Sequence, residues 1–113
     1  MSQFAAAPTA SALPEELLYA VDGAIATVTL NAPQRMNTIS GPMLDLLART
    51  LVEVDANPDV RVVVLTGSGR SFCAGADLDE WAEAEARGAL ETYGWTQTAH
   101  ALMTRLHSLE KPT

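Results

Sequence analysis

The stretch from Arg61 to Leu78, RVVVLTGSGRSFCAGADL, sets the narrowest limits on what this chain can fold into. Val62, Val63, Val64 and Leu65 run apolar without polar alternation, which predicts a strand buried on both faces. Gly67 and Gly69 end it, and Ala74, Gly75 and Ala76 follow. Small residues in a row leave the main chain unshielded, so a ligand atom can reach a backbone N–H. Asp77 stands at an N-cap position. A helix starting near Leu78 would aim its unpaired N–H groups and the positive end of its dipole back at the loop. The pattern points to a small anion or oxyanion site made of backbone.

Spacing rules out the familiar phosphate loops. Five residues beyond Gly67 or Gly69 stand Phe72 and Ala74, with no Lys-Ser/Thr pair after either, so no P-loop is present. A dinucleotide fingerprint needs a small residue three after Gly69, and that position is the bulky Phe72. An ordinary strand-to-helix connection fits the same residue types, and a nucleotide-binding β-α unit is a further reading.

The 113 residues are enough for one domain, and 48% apolar residues suit a chain with a real core. Seven basic residues against 14 acidic give a net charge of −7, which argues against nucleic acid or an anionic membrane surface as partner. The single cysteine, Cys73, cannot form an internal disulfide, which suits a reducing cytoplasm. No apolar run approaches the roughly 20 residues of a membrane span. Residues 1–16, MSQFAAAPTASALPEE, contain no Lys or Arg, so they read as neither secretory signal nor transit peptide but as a disordered tail. A folded part is expected over 17–113.

Alternation predicts strands over Leu17 to Val21 and Ala24 to Leu30, with Asp22-Gly23 as the hairpin turn. Pro33 cannot donate to a ladder, and Gln34 to Thr38 reads as an exposed loop. Ser40 as N-cap and Pro42 in the first turn open an amphipathic helix. Met43 or Leu44, Leu47, Leu51 and Val54 give its apolar stripe, and Asn57-Pro58-Asp59 stops it after Ala56. Strand, strand, helix, strand is an α/β arrangement built from a β-β-α unit. Beyond the loop, Asp79 to Leu90 reads as helical with a solvated acidic face of Glu80, Glu83 and Glu85, and Glu91 just past it. Gly88 and Gly94 weaken the helix between Arg87 and Trp95, and a second helix is expected over Thr96 to Leu109. On it Ala99, Leu102, Met103 and Leu106 share a face.

Other candidate chemistry is thin. His100 and His107 lie on one helical face, yet no third ligand sits at metal spacing, so no metal is expected. Cys73 has no activating base that the sequence identifies, and reads as a small residue packed beside the loop. Trp81 and Trp95 read as packing residues, with the lining of an acyl pocket as the alternative.

Three segments carry a resemblance: TLNAPQRMNT at Thr29 to Thr38, VRVVVLTGSGRSFCAGADL at Val60 to Leu78, and the closing EKPT. Together they resemble the enoyl-CoA hydratase/isomerase (crotonase) family, in its order, from about Leu18 to Thr113. The resemblance implies a crotonase-like (ClpP/crotonase) spiral of β-β-α repeats, here incomplete at the C-terminus. It implies an acyl-CoA thioester as ligand, with coenzyme A entering as part of the substrate and no separate cofactor. The implied parent reaction is hydration of a 2-enoyl-CoA to a 3-hydroxyacyl-CoA; an isomerase, thioester hydrolase or decarboxylase, or a non-catalytic acyl-CoA-binding fragment, are the alternatives. The position matching Ala76 would give a backbone N–H to the thioester oxygen, where losing one such donor typically costs about 3 kcal/mol. The same comparison sets Arg35, Met36, Asn37, Ala74, Gly75, Asp77 and Leu78 against coenzyme A, with Arg35 as phosphate partner. The family commonly forms homotrimers or hexamers. Its second oxyanion donor and its acid-base carboxylates lie beyond the Lys-Pro segment, so the 113-residue chain alone is expected to be inactive.

Overall fold

A computed structural model describes residues 15–113, which leaves most of the expected disordered tail outside the described residues. Strands β1 (Leu17–Asp22) and β2 (Ile25–Leu30) form a hairpin whose two-residue turn begins at Gly23, φ +61°. A positive φ at the first central position is the II′ geometry that glycine supplies without steric cost. After a single 3-10 turn at Pro33–Arg35, helix α1 (Gly41–Ala56) leads back to β3 (Val62–Gly67), which pairs parallel to β2. The result is a three-stranded sheet of order β1-β2-β3, followed by α2 (Leu78–Arg87) and α3 (Ala89–His107).

One face of the sheet makes the core. Ala26, Val28 and Leu30 of β2 alternate inward with Leu17, Tyr19 and Val63 of the neighbouring strands. Met43, Leu47, Leu51 and Val54 of α1 close over them at helical spacing. Ser40 caps α1, its Oγ accepting from the Met43 N–H at 3.1 Å, and Lys111 Nζ donates to the carbonyls of Val54 (2.8 Å) and Asn57 at the other end. Leu102 carries α3 onto the same cluster, with Ala99 and Leu106 partly buried beside it. Burial pushes the Tyr19 phenol up from its usual range, Glu53 adds to the rise, and a hydrogen bond with Asn57 opposes it.

Several expectations need correcting. β3 is buried on one face only: Val63 is 2% exposed, while Val62 and Val64 are 38% and 41% exposed, because nothing among the described residues covers the outer face. The break after the loop falls at Gly88, φ +121°, and not at Gly94, which α3 runs straight through. A helical glycine costs only about 1 kcal/mol, and the packing of Leu102 offsets that. Met103, expected on the buried face, is 51% exposed. The Gln34 to Thr38 loop is not wholly exposed, since Asn37 within it is fully buried.

Candidate functional site

The loop from Ser68 to Asp77 takes its shape from the segment Met36 to Ile39, which runs alongside it. Asn37 is the clamp. Its Oδ1 accepts from the Ala32 N–H at 2.7 Å, and its Nδ2 donates to the carbonyls of Ser68 and Ser71, both at 2.9 Å. Met36 and Asn37 both adopt left-handed backbone, φ 59° and 57°, a strained conformation for residues with side chains that these bonds over-determine. Gly67 makes the close approach possible, because a Cβ there would lie 2.4 Å from the Phe72 carbonyl oxygen and 2.8 Å from Asn37 Nδ2.

Around Ala76 the neighbouring backbone groups are tied down in turn. The Ala74 N–H donates to Met36 O at 3.0 Å, the Ile39 N–H to Gly75 O at 2.7 Å, and the Asp77 N–H to Ile39 O at 3.0 Å. The last two form a parallel bridge between Ile39 and Ala76. In a parallel ladder, bonds from one residue go to the two positions flanking its partner, so the N–H and C=O of Ala76 project from the opposite side. Among the described residues no acceptor meets the Ala76 N–H. Gly75, φ +121°, turns the chain immediately before it, in a conformation that L side chains rarely adopt.

Asp77 caps α2 as its spacing suggests, with Oδ1 accepting from the N–H groups of Asp79 (3.0 Å) and Glu80 (3.2 Å). Its other oxygen lies 3.7 Å from Arg35 Nε. Arg35 is engaged on the protein itself. Its Nη2 pairs with Glu16 at 2.7 Å and donates to Thr38 O at 3.0 Å, while Nε donates to Thr38 Oγ1 at 3.1 Å. Glu16 also accepts from Ser40 Oγ. The guanidinium expected to face a phosphate therefore sits between two carboxylates, with Glu16 and Thr38 as partners the sequence reading missed. Opposite charges at i and i+19 leave no local spacing signal to find them by.

Of the other residues set against a ligand, Met36 (39% exposed), Ala74 and Leu78 (77% exposed) reach the surface, and the Asn37 side chain does not. Glu80, expected on the solvated face, accepts the Gly41 N–H at 2.7 Å and so caps α1 from α2. Cys73 is half-buried and packs against the core. His100 and His107 are exposed, and no group able to hold a metal occurs among the described residues. Trp81 meets Trp95 edge-on, ring centroids 5.4 Å apart at 87°, which is the packing role. Trp95 also lines a groove of about 610 Å³ between α1, α2 and α3, rimmed by Asp45, Glu80, Glu83 and Glu91. Ala76 is not part of that lining. No helix among the described residues is long and apolar enough to cross a membrane.

The profile of the enoyl-CoA hydratase/isomerase family matches residues 25–113. A Thermus thermophilus protein provisionally named an enoyl-CoA hydratase is 41% identical over 91 residues, 80% of this chain and 36% of that protein. The 1,2-epoxyphenylacetyl-CoA isomerase of Escherichia coli is 35% identical over 100 residues, 87% of this chain and 38% of the isomerase. A solved Pseudomonas aeruginosa structure is 58% identical and superposes with a TM-score of 0.79, covering 87% of this chain and 42% of that one. The chain thus spans well under half the length of these relatives. With the profile running from β2 through the tethered loop to Thr113, the chain belongs to the enoyl-CoA hydratase/isomerase family.

Proposed function

We propose that this chain carries the backbone oxyanion donor of an acyl-CoA enzyme, with the Ala76 N–H meeting the thioester oxygen. One observation carries the reading: the Gly75 carbonyl and the Asp77 N–H that flank that amide are both tied to Ile39, while the amide itself turns outward without an acceptor among the described residues. A donor held still before the reaction loses nothing to reorganisation when charge develops on the oxygen. Met36, Ala74, Gly75 and Leu78 lie beside it as the surface for the pantetheine arm, and Arg35 and Asp77 hold that surface in shape. The parent reaction is the addition of water to a 2-enoyl-CoA, oxygen to the β-carbon and a proton to the α-carbon; family members named as isomerases make a double-bond or ring isomerisation the other outcome.

A second reading has its own support. Hydration needs a carboxylate free to activate water and an acid for the α-carbon. Three carboxylates beside the loop are engaged on the protein itself: Asp77 on α2 and Arg35, Glu16 on Arg35 and Ser40, Glu80 on α1. The 113-residue chain by itself then binds acyl-CoA without turning it over. Calorimetric titration with a 2-enoyl-CoA and with free coenzyme A, beside a hydration assay on the same sample, separates the cases. Preference for the thioester without turnover supports the binding reading, and turnover supports the catalytic one. Equal affinity for both ligands, or none, refutes an oxyanion donor at Ala76.

A further inference from the structure

Asp77 poses an electrostatic problem for a neighbouring oxyanion site. Its carboxylate stands one residue from the Ala76 amide and is mostly buried, its side chain 18% exposed. Negative charge there opposes negative charge on a bound carbonyl oxygen, and partial burial weakens the screening that water would supply. The carboxylate cannot simply be dispensed with, because it caps α2 through the Asp79 and Glu80 N–H groups. Asparagine caps as well as aspartate does, so the cap alone does not call for a charge.

Resting on the oxyanion reading above, we propose that Arg35 is a positioning and charge-balancing residue for the Ala76 site, not a phosphate ligand. Its guanidinium lies 3.7 Å from Asp77 Oδ2 and is anchored from behind by Glu16 at 2.7 Å and by the Thr38 carbonyl and hydroxyl. These anchors occupy Nε and Nη2 and hold the cation beside Asp77. Glu16 holds the arginine in place, and the arginine cancels the charge that the α2 cap brings to the loop. The charged groups facing Arg35 are these two carboxylates, so the balance is readable by removing them one at a time.

A 2,4-dienoyl-CoA is the probe, because hydrogen bonding to its thioester oxygen moves the dienoyl absorption to longer wavelength. Arg35→Gln is expected to shrink that red shift and weaken binding about threefold to tenfold. Arg35→Gln combined with Asp77→Asn is expected to recover both. A merely structural role for Arg35 predicts the opposite, since the double variant lacks the ion pair as well. An unchanged red shift in Arg35→Gln, or a double variant no better than the single one, overturns the proposal. Should Arg35→Gln fail to fold, Asp77→Asn alone decides: a larger red shift supports charge balancing and an unchanged or smaller one refutes it. Absence of any red shift in the unmodified chain defeats the oxyanion reading itself, which is a distinct result.

Discussion

Asn37 and Gly67 are the residues on which the loop geometry turns. A methyl at position 67 would collide with the carbonyls of Phe72 and Ser71, at 2.4 and 2.7 Å, and with the Asn37 amide. None of these is the free end of a flexible chain. Gly67→Ala is therefore expected to destabilise the fold by about 3 kcal/mol, read as a lower denaturant midpoint with an unchanged slope. Tyr19 gives a prediction in pH. Its raised pKa keeps the native phenol protonated at pH values where the unfolded phenol has ionised, so the native state then holds more protons and stability falls as pH rises. The stabilisation is complete below the ordinary tyrosine value of about 10 and is lost as pH passes up through the native one. Tyr19→Phe should flatten that alkaline decline in urea titrations while leaving the slope near neutrality unaltered.

At the scale of elements, α1 joins the core to the site. Leu51 is fully buried in the stripe that α1 lays on the sheet, and Leu51→Ala is expected to cost about 2–5 kcal/mol by the same titration. Glu80 holds the other end of that helix from across the structure, and Glu80→Ala should cost about 1 kcal/mol through the lost cap. Its effect should add to that of Ser40→Ala only in part, since both act on the first turn of α1. The strands, the Ser40 and Asp77 caps and the limits of α1 were readable in the sequence, because period and capping are local, while the hairpin turn falls at Gly23-Ala24, one residue beyond the expected Asp22-Gly23. What could not be read was settled at a distance. Glu80 on Gly41, Glu16 on Arg35 and Asn37 on Ser71 join positions far apart in sequence, and no spacing rule reports such pairs. The Gly88 break against the Gly94 continuation was equally hidden, since both glycines carry the same intrinsic penalty and only packing separates them. Of the candidate site, three small residues in a row marked the unshielded backbone and only the resemblance singled out Ala76, whereas the inward commitment of Arg35 had no sequence signal.

The whole molecule is asymmetric about its sheet. The inner face carries the core, and the outer face shows Leu18 and Ile25, 40% and 47% exposed, beside Val62 and Val64. Register places Ile25 directly against Val62, with Val64 next along the same face of β3, so these three form one apolar patch, while Leu18 lies opposite Thr29. Sedimentation of the 113-residue chain is expected to show association that grows with concentration, and Ile25→Lys should reduce it at a cost of no more than about 1 kcal/mol of stability. A concentration-independent monomer would contradict this. The two ends of the described chain sit differently with respect to this surface. The Val63 N–H donates to Pro112 O at 2.9 Å, while Glu15 O accepts from the Asn31 side chain. A fluorophore attached behind Thr113 consequently starts out along the rim of β3, where it would watch that strand dock.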